Sequence, residues 1–445
     1  MASNVSAMTD GLATERWLNE GGQLAPESVI ERELGTRDGR RVARRRGRAR
    51  PRVVIAGGGV AGLETLLALR VLAGDRVDLT LVTPELRFVN RSMTVTRPFG
   101  PPGAHGVRMQ DVTAQYGARW HRGSVDRVEH ERRVVVMHAG DELAYDVLVL
   151  ALGARPGRES HGPEVLTFHD GRYGAGYRQL LGELREGRIG RLAFVKPPGM
   201  SWPLPLYDLA LTTAADCAAH DQPEIELSLI TPEAKPLAIF GAQASAAVRG
   251  LLDQAGVTVH TSSLVVGRHP GWLDLAPGGR GVPADRIVIE PRLVGPRIQG
   301  IPHGRDGFLP TDRHGRLPGL DGVFAAGDAT AFPIKQGGLA AQQADAVAEA
   351  IAAVVGLDID PQPFQPVLRG VLLTGAAARY LRADISGGAG DDSTISTEPL
   401  WWPPNKLCAR YLAPYLSRQT GDAADVMPQQ QNGRIAEHPL ERSAS

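Results

Sequence analysis

The chain predicts an α/β protein of two Rossmann-like, three-layer units, the second inserted in the first, with a small C-terminal domain after them. Three observations lead there. Apolar, β-favouring residues from Val53 to Ala56 run into glycines spaced G-x-G-x-x-G at Gly57, Gly59 and Gly62, and an apolar helical pattern follows at once. The strand end Leu79-Thr-Leu-Val-Thr-Pro-Glu85 returns almost unchanged as Leu227-Ser-Leu-Ile-Thr-Pro-Glu233. A later strand, around Leu320 to Ala326, then resumes the first pattern and ends in Gly327-Asp328.

At 445 residues, two or three domains are expected. Hydrophobic content of 42% with 22% charged residues describes a globular protein. A net charge of zero argues against nucleic acid as a partner. No apolar run reaches the length of a membrane span, and the N-terminus lacks the apolar centre of a secretory signal. Two cysteines, Cys217 and Cys408, are too few for a disulfide framework, which suggests a reducing, cytoplasmic setting. Almost all basic residues are Arg; the only lysines are Lys196, Lys235, Lys335 and Lys406.

Residues 1–50 show no sustained periodicity and end in an Arg-rich run from Arg40 to Arg52, read as a disordered leader. The first unit takes residues 51–165. Its opening strand, tight turn and helix are what a diphosphate site needs. Gly57 permits the turn, Gly59 lets the backbone come close to phosphate, and Gly62 lets the helix pack on its strand. Val60 and Ala61 complete that turn. The acidic residue expected about 20 positions on, to bind a ribose, is replaced by Thr83, with Glu85 two residues later. Leu143 to Leu150 is a buried strand ending at Ala151-Leu-Gly153-Ala154.

The second unit, 166–295, has strands at Arg191–Val195 and Ile225–Ile230 and a helix from Tyr207 to Ala219. Its turn departs from the first: Lys196-Pro-Pro-Gly199-Met-Ser-Trp202-Pro carries prolines without N–H groups and a bulky Trp where a diphosphate would approach. The chain returns to the first unit over 296–357, where Ile334-Lys335-Gln336-Gly337-Gly338 opens a long Ala-rich helix. Residues 358–420 form the C-terminal piece, with a strand from Leu368, a Gly/Asp-rich loop at 386–393, Trp401-Trp402, and an amphipathic helix from Lys406 to Leu416. Residues 421–445 read as a disordered polar tail.

Gly57-x-Gly59-x-x-Gly62, Ala151-Leu-Gly153-Ala154 and Ala325-Ala-Gly327-Asp328 together resemble the FAD-dependent pyridine-nucleotide-disulfide oxidoreductase superfamily over about residues 52–357. Within it, the chain looks like the branch of sulfide:quinone oxidoreductases and type II NADH dehydrogenases. The resemblance implies FAD- and NAD(P)-binding domains, with non-covalent FAD in the first. It implies that Asp328 bonds the ribityl chain and that Lys335, Gln336, Gly337 and Gly338 meet the pyrimidine edge of the flavin. Lys335 is then a candidate for chemistry at that edge. A helix N-terminus adds about 0.3–1 kcal/mol to an anion there, up to ~2 in good geometry, which tunes the flavin without choosing its donor.

The resemblance further implies a quinone-like acceptor and a small electron donor. The superfamily's disulfide reductases have a Cys pair near the first unit, and this chain has no Cys before Cys217. Both cysteines read as buried structural thiols, which disfavours sulfide oxidation through a Cys pair. NAD(P)H is a candidate donor, weakened by the altered turn at 196–206. Lys196 reads equally as a phosphate partner or a strand-end lysine. Trp401, Trp402 and Tyr415 can line an apolar slot beside the flavin or pack in a homodimer interface. The helix with Leu407, Tyr411, Leu412 and Leu416 can lie on a membrane's inner face or pack in the core. No metal site is expected. The alternative readings are a sulfide:quinone oxidoreductase-like enzyme without the Cys pair, and a flavoprotein redox sensor or binding subunit whose second site has decayed.

Overall fold

The computed structural model describes residues 49–99, 106–157, 162–168, 170–221, 224–279, 281–385 and 393–420. The basic leader, the polar tail and nearly all of the Gly/Asp-rich loop lie outside these residues.

The first unit begins with β1 (Arg52–Ala56), α1 (Val60–Ala73) and β2 (Asp78–Val82). The short helix α2 (Met109–Gln115), β3 (Arg119–His121) and β4 (Val147–Leu150) follow. Between β3 and β4 runs a three-stranded antiparallel meander, Val125–Glu129, Val134–Met137 and Glu142–Ala144. In the second unit come β5 (Val165–Thr167), α3 (Asp170–Arg185), β6 (Arg191–Val195), α4 (Leu204–Ala219) and β7 (Glu226–Ile230). Next are α5 (Gly241–Gln254), β8 (Val257–His260), a second meander (Leu264–His269, Trp272–Ala276, Gly281–Pro283) and β9 (Arg286–Ile289). Then β10 (Val323–Ala325) and α6 (Gly337–Val354) rejoin the first unit. The chain ends with β11 (Val367–Leu372), β12 (Arg379–Asp384), β13 (Ser393–Ser396) and α7 (Leu412–Thr420).

Each unit is built on a five-stranded parallel sheet, ordered β3-β2-β1-β4-β10 in the first and β8-β7-β6-β9-β5 in the second. Neither central strand alternates apolar and polar, because both faces are covered. Val53 and Ile55 of β1 pack with α1 and α6, while Val54 and Ala56 face the meander's Val125 and Val135. The second unit repeats this: Leu192 and Phe194 meet the helices, and Ala193 and Val195 meet Leu273 and Val282 of its meander. The outer layer of each unit is therefore a β-meander, with Gly and Asp at its turns. Short polar-tipped strands such as Glu142–Ala144 carry too little periodicity to be separated from loop by pattern.

The duplication extends to the foot of each sheet. Arg52 holds Asp146 through Nε and Nη2, both at 3.1 Å, and through its backbone N–H at 2.7 Å. Arg191 holds Asp285 in the same way, at 3.1 Å and 2.6 Å through the guanidinium and 3.0 Å through the backbone. In each case the first residue of the central strand grips the residue just before its neighbour, which sets the parallel register.

The C-terminal piece is tied to both units. Gln342 of α6 pairs with both backbone groups of Val367, at 2.9 Å each, and Gln336 donates to Arg369 O at 2.8 Å. Lys406 forms a buried 2.6 Å ion pair with Asp208 of α4, and Asp208 also accepts from Leu373 N at 2.7 Å. The expected helix from Lys406 starts later, at Leu412, because Lys406 is turned inward and Glu64 of α1 accepts from Tyr411 N (2.8 Å) and Leu412 N (2.6 Å). That carboxylate caps the helix. Its apolar face, with Leu412, Ala413 and Tyr415 all buried, packs on α1 and α6 with Leu407. Of the two readings of this helix, packing in the core is the one its apolar side takes. Among the described residues, no helix is long and apolar enough to cross a membrane.

Candidate functional site

Gly57, Gly153 and Gly327 all have positive φ, at +119°, +69° and +77°. They stand just beyond the carboxyl ends of β1, β4 and β10, three adjacent strands of the first sheet. Each strand thus turns sharply at the same edge, beside the point where strand order reverses between β1 and β4. A Cβ on Gly57 would stand 2.1 Å from Ala151 O, and one on Gly62 would stand 1.8 Å from Gly57 O. Both glycines are required by close backbone approach. Gly59 is different: it is the N-cap of α1 with no side-chain cap, and a Cβ there meets nothing within 4 Å. The start of α1 is therefore uncapped by any side chain and has open space at Gly59, as a diphosphate requires.

A second helix end points to the same place. At Gly337, the first residue of α6, a Cβ would lie 3.8 Å from Val60, the first residue of α1. Below them Gly327 fits between Ala61 and Ala340, whose Cβ atoms would be 2.9 and 3.4 Å from a side chain there. Two positive helix termini meet over three glycine turns. Gln336 is the N-cap of α6 and accepts from Leu339 N at 2.7 Å, which leaves the earlier N–H groups of the turn without an intrahelical acceptor. Gly338 is needed because Cys408 O and the Gln336 side chain would sit 3.0–3.2 Å from any Cβ.

Asp328 lies between these ends, half-buried, and no protein donor bonds its carboxylate among the described residues. Burial pushes its pKa up, while Lys335 and Arg91 act in the opposite direction. Lys335 is buried; its Nζ donates to Thr330 O at 2.5 Å and lies 3.8 Å from the centroid of the Phe308 ring. The expectation that Lys335 extends to a flavin edge needs correction, because the side chain turns back under the Gly327–Thr330 turn. Burial lowers its pKa to about 7, with Asp328 holding it up. Two contributors escaped the sequence reading. Gln343 of α6 accepts from Gly327 N at 2.7 Å and fixes the Gly-Asp turn. Arg91 opens the turn Arg91–Thr96, which Asn90 caps, and acts on Asp328. Neither belongs to a spacing motif, so no sequence signal marks them.

Thr83 is buried behind Gly58 and donates its hydroxyl to Glu85, which stays exposed. A ribose contact from Thr83 is therefore not available in this arrangement, and Glu85 is the group of the pair that solvent reaches. Gly153, at a Cβ position with nothing within 4 Å, leaves room beside Ala151.

The second unit's edge is built otherwise. Residues 196–203 separate β6 from α4, against 57–59 in the first unit, and α4 has Pro203 as N-cap and Pro205 in its first turn. Glu233, the counterpart of Glu85, is buried and accepts from Tyr207 Oη at 2.6 Å and Thr231 Oγ1 at 2.8 Å. Lys196 is buried at the strand end, its Nζ 3.4 Å from Pro197 O. Trp202 packs edge-on against Phe240 and beside Gly370. Trp401 is a core residue: it is 1% exposed, donates to Asn405 O at 3.1 Å and meets Tyr380 edge-on. Trp402 is half-buried next to it, and Tyr415 packs on Tyr116. The apolar slot expected from Trp401 and Tyr415 is not formed by them, since both rings are spent on packing. Cys217 and Cys408 are free and buried, and burial pushes each thiol up to about 11. Among the described residues, no group of His, Cys, Asp and Glu could hold a metal ion.

No family model matches the chain. It is 27% identical over 214 residues to the external alternative NAD(P)H-ubiquinone oxidoreductase B4, mitochondrial, of Arabidopsis thaliana, covering 42% of this chain and 37% of that protein. The matched part is thus well under half the length of that relative. The sulfide:quinone oxidoreductase of Aquifex aeolicus superposes with a TM-score of 0.72 at 20% identity, over 78% of this chain and 87% of the other. NDH2 of Plasmodium falciparum, solved in complex with NADH, gives 0.61 at 12% identity over 77% and 92%. The chain thus has the two-unit α/β fold of these solved oxidoreductases.

Proposed function

We propose that the chain is an FAD-dependent oxidoreductase that moves two electrons from a small donor to a quinone-like acceptor. One observation carries this: three left-handed glycine turns on adjacent strands meet two helix N-termini, beside an Asp328 carboxylate that no donor among the described residues bonds. A diphosphate fits the end of α1, hydroxyl groups of a ribityl chain fit Asp328, and an electron-rich ring edge fits the end of α6. FAD bound there supplies reversible two-electron transfer. The chain's part is to hold and orient it, with Gly57, Gly59, Val60, Ala61 and Gly62 at the phosphates and Gly327 to Gly338 along the ring.

The donor reading rests on the second unit. With Glu233 bonded inward and Pro203 and Pro205 at the helix start, its edge offers a dinucleotide fewer contacts than the first unit's. This favours a small reductant other than NAD(P)H as the donor. The buried, high-pKa thiols speak against a Cys-borne polysulfide as the route.

The test is made on the purified full chain. Flavin absorbance with about one FAD released per chain on denaturation is expected. Photoreduced protein should regain its colour with a soluble quinone, while NADH and NADPH bleach it slowly or not at all. Colourless protein that takes up no FAD sinks the proposal. Rapid bleaching by NADH sinks the donor reading alone. Bound FAD that no quinone reoxidises favours the sensor or binding-subunit reading.

A further inference from the structure

The segment that leaves β2 crosses the mouth of the glycine turn. At its start, Thr83 and Met109 close on Gly58, where a Cβ would stand 2.7 Å from each side chain, and Met109 N donates to Leu86 O at 3.0 Å. At its end, Arg91 lies close enough to Asp328 to act on its carboxylate. In the sheet order β2-β1-β4-β10, β1 and its glycines stand between those two points. The stretch from Thr83 to Arg91 reaches about 26 Å at most, enough to cross the three strand spacings, about 14 Å in all, from β2 to β10. It therefore passes in front of the start of α1. Beyond Arg91 the chain is fixed in the second unit. Val95 is buried in the same core as Tyr177 and Leu180 of α3, Phe99 meets Tyr177 edge-on, and Arg178 donates to Arg97 O at 3.1 Å. Asn90 caps the turn by accepting from Ser92 N and Ser92 Oγ, and Thr94 Oγ1 donates to Arg91 O at 2.7 Å. On this base Arg91 is exposed, and its guanidinium makes no hydrogen bond or ion pair among the described residues. Its neighbours are engaged: Arg87 donates to Gly106 O at 2.7 Å, and Lys335 to Thr330 O.

We infer that Arg91 pairs with the diphosphate of the bound cofactor and closes the side of the cradle that the start of α1 leaves open. This rests on the proposed function. The diphosphate and the Asp328 carboxylate are both anionic, and each helix end supplies only about half a charge against them. A guanidinium matches phosphate oxygens in bidentate geometry and offsets the remainder. Because the turn that carries Arg91 is capped and seated in the second unit, little of its backbone has to be ordered when the anion arrives. Arg91 is thus a binding and positioning residue: it fixes where the cofactor lies and takes no part in the electron transfer.

The test titrates the full chain, freed of flavin, with FAD and with ADP, which carries a diphosphate without the ring. Arg91→Met should weaken FAD by ~10-fold or more and ADP by a similar factor. Arg91→Lys, which keeps the charge and loses the fork, should recover part of the loss for both. FAD affinity should also fall less steeply with salt in Arg91→Met than in the parent. The flavin-free variant should melt with the parent, since the side chain it loses is exposed; should it melt early, Arg91→Gln takes its place. Equal FAD affinity in variant and parent overturns the inference and leaves the proposed function standing. So does a loss confined to FAD, or a parent that binds FAD and not ADP, because Arg91 would then act elsewhere than at the diphosphate. A parent that binds ADP and no FAD overturns the proposed function, and the ADP comparison then decides Arg91 alone. A parent that binds neither overturns both.

Discussion

Tyr207 donates a 2.6 Å hydrogen bond to Glu233, and both side chains are buried. In the first unit the matching acid, Glu85, is exposed, although the same Thr-Pro-Glu sequence and the same Thr-to-Glu bond precede it. A single aromatic on α4 thus turns one copy of a duplicated strand end inward. Removing the hydroxyl in Tyr207→Phe should cost about 1.5–3 kcal/mol, the usual worth of a bond to a charged group. The urea midpoint measures it. NADH affinity should stay too weak to detect, since prolines at the start of α4 remain; tight NADH binding by the variant would show that Glu233 alone closes the site.

The three glycines of the first turn should differ in what they tolerate. Gly62→Ala places a methyl 1.8 Å from Gly57 O, so it should both destabilise the fold and lose FAD. Gly59→Trp meets open space in the protein, so the fold should survive with an unchanged melting transition while flavin is lost on purification. Stoichiometric flavin in Gly59→Trp would move the diphosphate elsewhere.

Lys335 and the flavin potential should be linked through pH. With a pKa near 7, Lys335 is charged below neutrality and neutral above it. Lys335→Met should lower the midpoint potential by tens of millivolts at pH 6, where ~30 mV corresponds to about 1.4 kcal/mol. By pH 9 the difference from the parent should vanish. Redox titration at the two pH values checks this, and an equal difference at both would show that the charge of Lys335 is not what matters.

The fold should lose stability as pH rises. Glu64, in α1, is raised to about 7 from 4.5 by burial, against the pull of the Tyr411 and Leu412 N–H groups and Arg410. Asp345, in α6, is raised beside it by burial and by Glu64, with Glu349 adding to this and Arg410 opposing. Both acids have folded values above their unfolded ones. For Glu64 the stabilisation is full below about pH 4.5 and is lost as pH climbs through 7, and that of Asp345 is likewise lost as pH rises. For Glu64 this is about 3 kcal/mol at most. Urea midpoints across that window should fall in the parent and stay nearly flat in the Glu64→Gln/Asp345→Asn double variant.

Breaking the buried Lys406–Asp208 pair should cost more than any surface change. Lys406→Met removes the partner that holds down the pKa of buried Asp208, which burial already raises, at about 3–5 kcal/mol. Limited proteolysis should then cut first between β11 and α7, because that pair ties this piece to α4. An unchanged cleavage pattern would mean that the glutamine bonds from α6 suffice.

Much of the molecule was legible before any coordinates. The strand–glycine–helix order at Gly57 to Gly62, the repeated Thr-Pro-Glu and the returning Gly327-Asp328 announced two Rossmann-like units, because a parallel strand buried on both faces writes itself as an unbroken apolar run. Gly57 and Gly62 were readable because a backbone oxygen within about 2 Å admits no side chain. What could not be read was where polar side chains find partners across long separations. Glu64 reaches Leu412, Lys406 reaches Asp208, and Gln343 reaches Gly327; the carbon chains between them leave no period or motif. The inward turn of Glu233 and the burial of Trp401 were likewise decided in three dimensions, since one sequence pattern serves an exposed acid in one unit and a satisfied buried one in the other. Local spacing fixes how a strand turns; only packing fixes which groups are left free to meet a ligand.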